Sequence, residues 1–259
     1  MKLLFIGDIV GEPGRAAVTG SCRLLCERHD VDYVIANGEN VAGGSGLTLQ
    51  TARELLAAGV DVITSGDHVW DQKEFVADIV KEPRVLRPAN YPTGAPGRGS
   101  IVWNRPGKLP IGVINLLGRT FMPALDNPFT LAESLVEQLR KQTSVILVDM
   151  HAEATSEKIA IGRFLDGRVS AVIGTHTHVQ TAAEQILPGG TAYLTDAGFP
   201  GPQESILGRE IEPVIRRFVT QMPQRFKVAR DRVMLCGAVI EVDAATGRAQ
   251  GITRIQEPV

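Results

Sequence analysis

Short branched and apolar runs recur along this chain between segments long enough for helices, and that alternation confines it to the α/β class. Strands are expected at "KLLFI" (2–6), "DYVIA" (32–36), "DVIT" (61–64), "IVW" (101–103), "IGVINL" (111–116), "SVILVDM" (144–150) and "SAVI" (170–173). Three more follow at "TAYLT" (191–195), "MLCGAVIEV" (234–242) and "GITRI" (251–255), the last two joined by the hairpin loop "DAATG". Helices are expected over 14–29, 48–58, 71–80, 129–142, 155–163 and 209–220. The most loop-like stretch, "RPANYPTGAPGRGS" (87–100), is too short for a domain linker, so one domain over 1–259 is expected.

Polar residues gather where the strands stop. "KLLFI" runs into Gly7-Asp8, "DYVIA" into Asn37-Gly38-Glu39-Asn40, and "DVIT" into Ser65-Gly66-Asp67-His68. "SVILVDM" runs into His151, and "SAVI" into Gly174-Thr175-His176-Thr177-His178. In open α/β sheets, sites form beyond the carboxyl ends of the strands, so these five clusters can share one crevice. The chain has only five histidines, and four of them lie here. Singly, each cluster has an ordinary explanation: an Asp after a strand usually caps a helix or shapes a turn, and an isolated His is usually a satisfied core residue. Five coincident clusters point instead to metal. His176 and His178, two apart on an extended chain, project to one side roughly 6.5–7 Å apart, which suits one imidazole on each of two cations. Carboxylate, amide oxygen and imidazole without thiolate suit manganese, iron or zinc, and the donors outnumber what one tetrahedral ion needs.

Charge and cysteine usage exclude other classes. A net charge of −2 offers no basic footprint for duplex nucleic acid and no polybasic membrane patch. No apolar run reaches the length that crosses a bilayer, and "MKLLFIGDIV" has too short an apolar stretch for a signal peptide. A cytoplasmic protein is expected, as is a homo-oligomer. Cys22, Cys26 and Cys236 have no CxxC spacing; the first two fall at i, i+4 on a helix, where cysteine behaves as a small core residue.

In this order the motifs resemble those of the calcineurin-like metallophosphoesterases: a GD, a second acidic motif, a GNH, a lone His and a final HxH. "GDIVGEPGR", "NGENVAGG", "GDHVWD", "HAEATSEK" and "GTHTHVQTA" more closely resemble the YmdB-like branch, whose members are cyclic-nucleotide phosphodiesterases. The likeness continues through "GRTFMPALDNPF" (118–129), "TDAGFPGP" (195–202) and "EPVIRRFVTQMPQRF" (212–226). It implies a two-sheet β-sandwich flanked by helices, a four-layer α-β-β-α fold with two metals at the strand ends. It further implies that Asp8, Glu39, Asn40 and His178 surround the first metal, and that Glu39 bridges to a second held also by Asp67, His151 and His176. His68 matches the histidine of the GNH motif and is implied to act near the substrate.

One position departs from the family pattern, which has Asn where this chain has Asp67. Asp8, Glu39, Asp67 and a bridging hydroxide would give four negative charges against the four positive charges of two dications. Asp67 is therefore expected to weaken phosphate capture or to favour a ferric ion in the second site. The activity expected is hydrolysis of small cyclic nucleotides, 2′,3′-cyclic foremost and 3′,5′-cyclic next, with His68 donating a proton to the departing sugar oxygen. A phosphomonoesterase or nucleotidase, and a regulatory nucleotide or metal sensor, are the alternatives. "VAGGSG" (41–46) reads either as a loop whose N–H groups approach a phosphate or as a plain flexible loop.

Overall fold

In the computed structural model, which describes residues 1–259, the alternation becomes two six-stranded sheets packed face to face. The first contains β1 (Lys2–Ile6), β2 (Tyr33–Asn37), β3 (Val62–Thr64), β10 (Gly201–Pro202), β11 (Val233–Val242) and β12 (Ala249–Pro258). The second contains β4 (Ser100–Trp103), β5 (Ile111–Leu117), β6 (Val145–His151), β7 (Ala171–Thr175), β8 (Gln185–Ile186) and β9 (Ala192–Leu194). β1, β2 and β3 run parallel, as do β5, β6, β7 and β9, while β11, β12, β4 and β8 pair antiparallel. Six of the parallel strands are buried along their whole length, so their sheets need cover on both faces. Helices provide the outer cover: α1 (Gly11–His29) and α2 (Leu49–Ala57) on the first sheet, α4 (Pro128–Leu139) and α5 (Thr155–Phe164) on the second. α3 (Phe75–Asp78) and α6 (Ile211–Thr220) complete the set.

The period-two alternation of each strand sorts its side chains between these layers. Leu3, Phe5, Tyr33 and Ile35 face the second sheet, meeting Val145, Leu147, Ala171 and Ile173. Leu4, Ile6, Val34 and Ala36 face α1 and α2, and Ile146, Val148 and Met150 face α4 and α5. The four-layer order implied by the resemblance is thus the observed one. The same alternation carries Asn37, Thr64, Asp149, His151 and Thr175 onto the inner side. The apolar layer between the sheets therefore ends, at the carboxyl ends of the strands, in buried polar groups.

The ten expected strands all form, and β8 and β10, two residues each, are additions. The helix expected over 71–80 does not form. Residues 67–74 are turns closed by Val69 N–H to Gly66 O and Asp71 N–H to His68 O, followed by the four-residue α3 and a 3₁₀ turn, Ile79–Lys81. The physical reason is that Asp71, the residue placed to cap such a helix, accepts from Ser45 and contacts His68 instead.

Candidate metal centre

Asp8 follows β1, Glu39 and Asn40 follow β2, Asp67 and His68 follow β3, His151 ends β6, and His176 and His178 follow β7. The two sheets present these ends to one another. Donor atoms of Glu39, Asp67, His151 and His176 all lie within 4.8 Å of one another. His151 Nε2 is 3.2 Å from Glu39 Oε1, 3.1 Å from Asp67 Oδ1 and 3.0 Å from His176 Nδ1. The remaining expected residues lie alongside. Asn40 Nδ2 is 3.0 Å from Glu39 Oε1 and 3.3 Å from His178 Nε2. Asp8 Oδ2 accepts the His176 N–H at 3.0 Å. Its Oδ1, 3.6 Å from His151 Nδ1, is buried with no hydrogen-bond partner.

Two observations test whether a cation fits these donors. A buried carboxylate oxygen without a donor costs free energy unless something positive is supplied to it. Gly66 lies under the cluster, where a Cβ would sit 2.1 Å from Glu39 Oε2 and 2.2 Å from His151 Nε2, so the chain leaves that space open. The donors fit a metal ion.

Electrostatics agree. Burial raises Asp8 well above the usual carboxylate range, opposed by His151. Burial would discharge His151, but Glu39, Asp67 and Asp8 outweigh it and hold its proton well above the ordinary range. Asp67 and Glu39 sit below their ordinary values because the histidine charge overcomes their burial. In this arrangement the His151 proton occupies the place a cation would take, as metal binding to histidine requires. His178 is pushed down to about 4 by burial, so it is a neutral imidazole. Its Nδ1–H donates to Leu207 O at 3.2 Å, which leaves Nε2 unprotonated and free to accept.

The expectation of an extended HxH is corrected. β7 stops at Thr175, and His176 and His178 both have left-handed backbone, with φ of 100° and 63°. Asp196 holds the crest of this turn, its Oδ2 accepting from Thr177 N–H at 3.1 Å and Thr177 Oγ1 at 2.7 Å. Buried Lys158 donates to the same oxygen at 2.8 Å. The two imidazoles are aimed by this brace, not by strand periodicity.

Further groups emerge that the sequence did not single out. Thr175 Oγ1 donates to Asp149 Oδ1 at 2.6 Å and contacts His151 Nδ1 at 3.0 Å, so it accepts from that ring nitrogen and turns Nε2 to the cluster. Glu153 Oε2 lies 3.2 Å from His176 Nε2 and performs the equivalent task there. Thr175→Val should lower metal affinity about 10- to 100-fold, because the oriented tautomer is lost; isothermal titration of the metal-free protein measures it, and wild-type affinity would remove Thr175 from this role.

Above the donors opens a cleft of about 320 Å³, lined in part by Glu39, Asn40, His176, His178, His68 and Arg209. His68 is not packed in the core against Trp70; its side chain is 42% exposed, with Nδ1 2.9 Å from Asp71 Oδ2. The glycine loop 41–46 is not loose. Gln72 Nε2 donates to Ser45 O at 2.8 Å, Ser45 Oγ to Asp71, and Arg209 to the carbonyls of Gly43 and Gly44. Gly44 adopts φ 91° on the cleft wall, a conformation that a side chain resists.

The family model described as YmdB-like protein matches residues 4–255. The chain belongs to the YmdB-like family. Among its relatives, a Bacillus subtilis protein named 2′,3′-cyclic-nucleotide 2′-phosphodiesterase is 49% identical over 255 residues, covering 98% of this chain and 96% of the relative. The crystal structure of a hypothetical protein from Thermus thermophilus superposes with a TM-score of 0.92 at 42% identity, covering 100% of this chain and 99% of that one. That of a phosphatase from Mycoplasma pneumoniae also gives 0.92, at 36% identity, covering 100% and 93%. The YmdB-like fold and a metal-binding constellation thus occur together in this chain.

Proposed function

We propose that this YmdB-like chain is a dinuclear-metal phosphodiesterase that opens 2′,3′-cyclic nucleotides at the 2′ bond. The observation that carries the reading is the convergence of Glu39, Asp67, His151 and His176 beneath a cleft that His68 also lines. The name of the Bacillus relative supports the substrate class. In this reading Asp8, Glu39, Asn40 and His178 would hold the first cation and Asp67, His151 and His176 the second, with Glu39 shared between the two. Oxygen and nitrogen donors favour manganese or iron and accommodate zinc. When bound, such a pair supplies a water that ionises near neutrality and positive charge for the phosphoryl oxygens.

The chain's own groups do the remainder. His68, steadied through Nδ1 by Asp71, has Nε2 free to give a proton to the departing 2′ oxygen, and the product is a nucleoside 3′-phosphate. Arg209 fixes the glycine wall and adds a positive charge to a chain whose net charge is negative. Three unpaired cysteines accord with a cytoplasmic setting, and no helix is long and apolar enough to cross a membrane.

The deciding experiment assays 2′,3′-cyclic AMP, 3′,5′-cyclic AMP, AMP and a nitrophenyl phosphate ester with protein of measured metal content. Metal-dependent turnover fastest on 2′,3′-cyclic AMP, yielding 3′-AMP, is expected. Faster turnover of AMP would make the protein a monoesterase, and no turnover at saturating ligand would make it a sensor. Asp67→Asn should raise phosphate affinity or change which metal the second site retains; elemental analysis and steady-state kinetics identical to wild type would refute that role.

A further inference from the structure

β5 leaves its sheet at the same end as β6, and the segment after it, 118–126, stands beside the donors. Gly118 N–H donates to His151 O at 2.8 Å. A Cβ on Gly118 would come within 2.6 Å of that of Ala152, the neighbour of Glu153 on the cleft wall. Three residues further along lies Phe121, no more than about 11 Å from Gly118. Its side chain is 89% exposed, packs into none of the apolar clusters and meets no other ring.

The backbone makes this ring harder to account for. Met122 N–H closes a turn on Arg119 O at 3.4 Å, and Phe121, the third residue of that turn, has φ 61°. That is the glycine position of a type II turn, and a bulky side chain strains it. The turn is braced where it stands. Glu157 accepts the N–H groups of Arg119 at 3.0 Å and Thr120 at 3.1 Å. Asn90 ties the two feet of the loop, donating to Leu117 O at 2.8 Å and Asp126 O at 3.1 Å. An aromatic ring is thus held rigidly in water, on strained backbone, with no contact inside the chain to offset it. Strain of this kind collects at ligand clamps, where the surrounding structure enforces it.

The surroundings indicate which ligand. Burial, and then the charges of Asp67 and Glu39, raise the phenol of Tyr91, which adjoins Asn90, so the foot of the loop lies close to the donors. Arg119 is exposed and forms no ion pair. No phenyl, phenol or indole ring lines the cleft itself, so nothing inside it offers a base a flat apolar face. Bases of any kind stack on an aromatic ring, and a guanidinium beside the ring adds to the attraction.

We infer that Phe121 is the nucleobase platform of this site, stacking on the base of a nucleotide whose phosphate is held at the donor cluster. The inference rests on the phosphodiesterase reading and adds to it a preference for nucleosides over other cyclic phosphodiesters. Phe121→Gly tests it, because glycine relieves the backbone while removing the ring, so the thermal midpoint should hold. Its KM for 2′,3′-cyclic AMP should rise about 10- to 100-fold, the usual effect of one stacked base, with kcat little changed. Methyl ribofuranoside 2,3-cyclic phosphate, which has the same scissile bond and no base, should show no such loss. Phe121→Trp should keep the KM of wild type. Titration calorimetry with 3′-AMP and with inorganic phosphate reads the platform without turnover: the glycine variant should lose 3′-AMP affinity by the same factor and keep its affinity for phosphate. Unchanged KM and 3′-AMP affinity in that variant would overturn the inference. A lowered midpoint with equal losses on both substrates would make Phe121 structural, and a smaller sedimenting mass would seat its ring in another copy; either result would also overturn it. A wild type without phosphodiesterase turnover would end the activity reading, while the 3′-AMP titration would still decide the platform.

Discussion

Gly66→Ala should yield a folded protein that no longer retains metal, although no donor has been altered. The added methyl would stand 2.1 Å from Glu39 Oε2 and 2.2 Å from His151 Nε2, so one of these side chains must leave its place. Gly66 does not have left-handed backbone, and alanine can adopt its conformation without strain. The damage is thereby confined to the donor cluster. Since disturbing even an outlying hydrogen bond of a metal ligand typically costs about 10- to 100-fold in affinity, a displaced ligand should cost more than about 100-fold. Elemental analysis and titration calorimetry measure the loss, with circular dichroism as the check on folding. Stoichiometric metal in the variant would mean that the cation does not sit above Gly66.

His68→Ala should do the reverse: metal stays and turnover falls by about 10²–10⁴. The backbone N–H of His68 lies 3.4 Å from Glu39 Oε2, but its ring faces the cleft and contacts Asp71. The loss should depend on the leaving group. A nucleoside 2′ oxygen needs the proton and should show the full effect, whereas a nitrophenolate leaves without one and should show little. Equal losses on both substrates would remove proton donation from the role of His68, and loss of metal would make it a ligand.

Much of this site could be read before any coordinates because its donors end strands, where a Gly-Asp or an HxH interrupts an apolar run visibly. The apparatus that aims them is far less legible. Asp149 was hidden within "SVILVDM", although its two-residue spacing from His151 puts both on the inner side of β6. That parity, a carboxylate in an otherwise apolar run, was the available signal. Asp196 and Lys158 reach the HxH turn from other elements and leave no local trace in sequence. The left-handed histidines leave none for the same reason, since only a tertiary brace overrides the extended preference of residues following a strand. The unformed helix over 71–80 shows the converse: local periodicity lost to Asp71 being claimed by Ser45 and His68.

The donors come from both halves of the sandwich, with Glu39 after β2 and His151 at the end of β6. A cation shared by them is therefore a clasp between stretches of chain more than a hundred residues apart. Ligand that binds only the native form stabilises it in proportion to the logarithm of its concentration. The amount of this protein a cell keeps should accordingly follow its metal nutrition: starvation would loosen the clasp and expose the chain to proteolysis, so that supply governs abundance as well as catalysis.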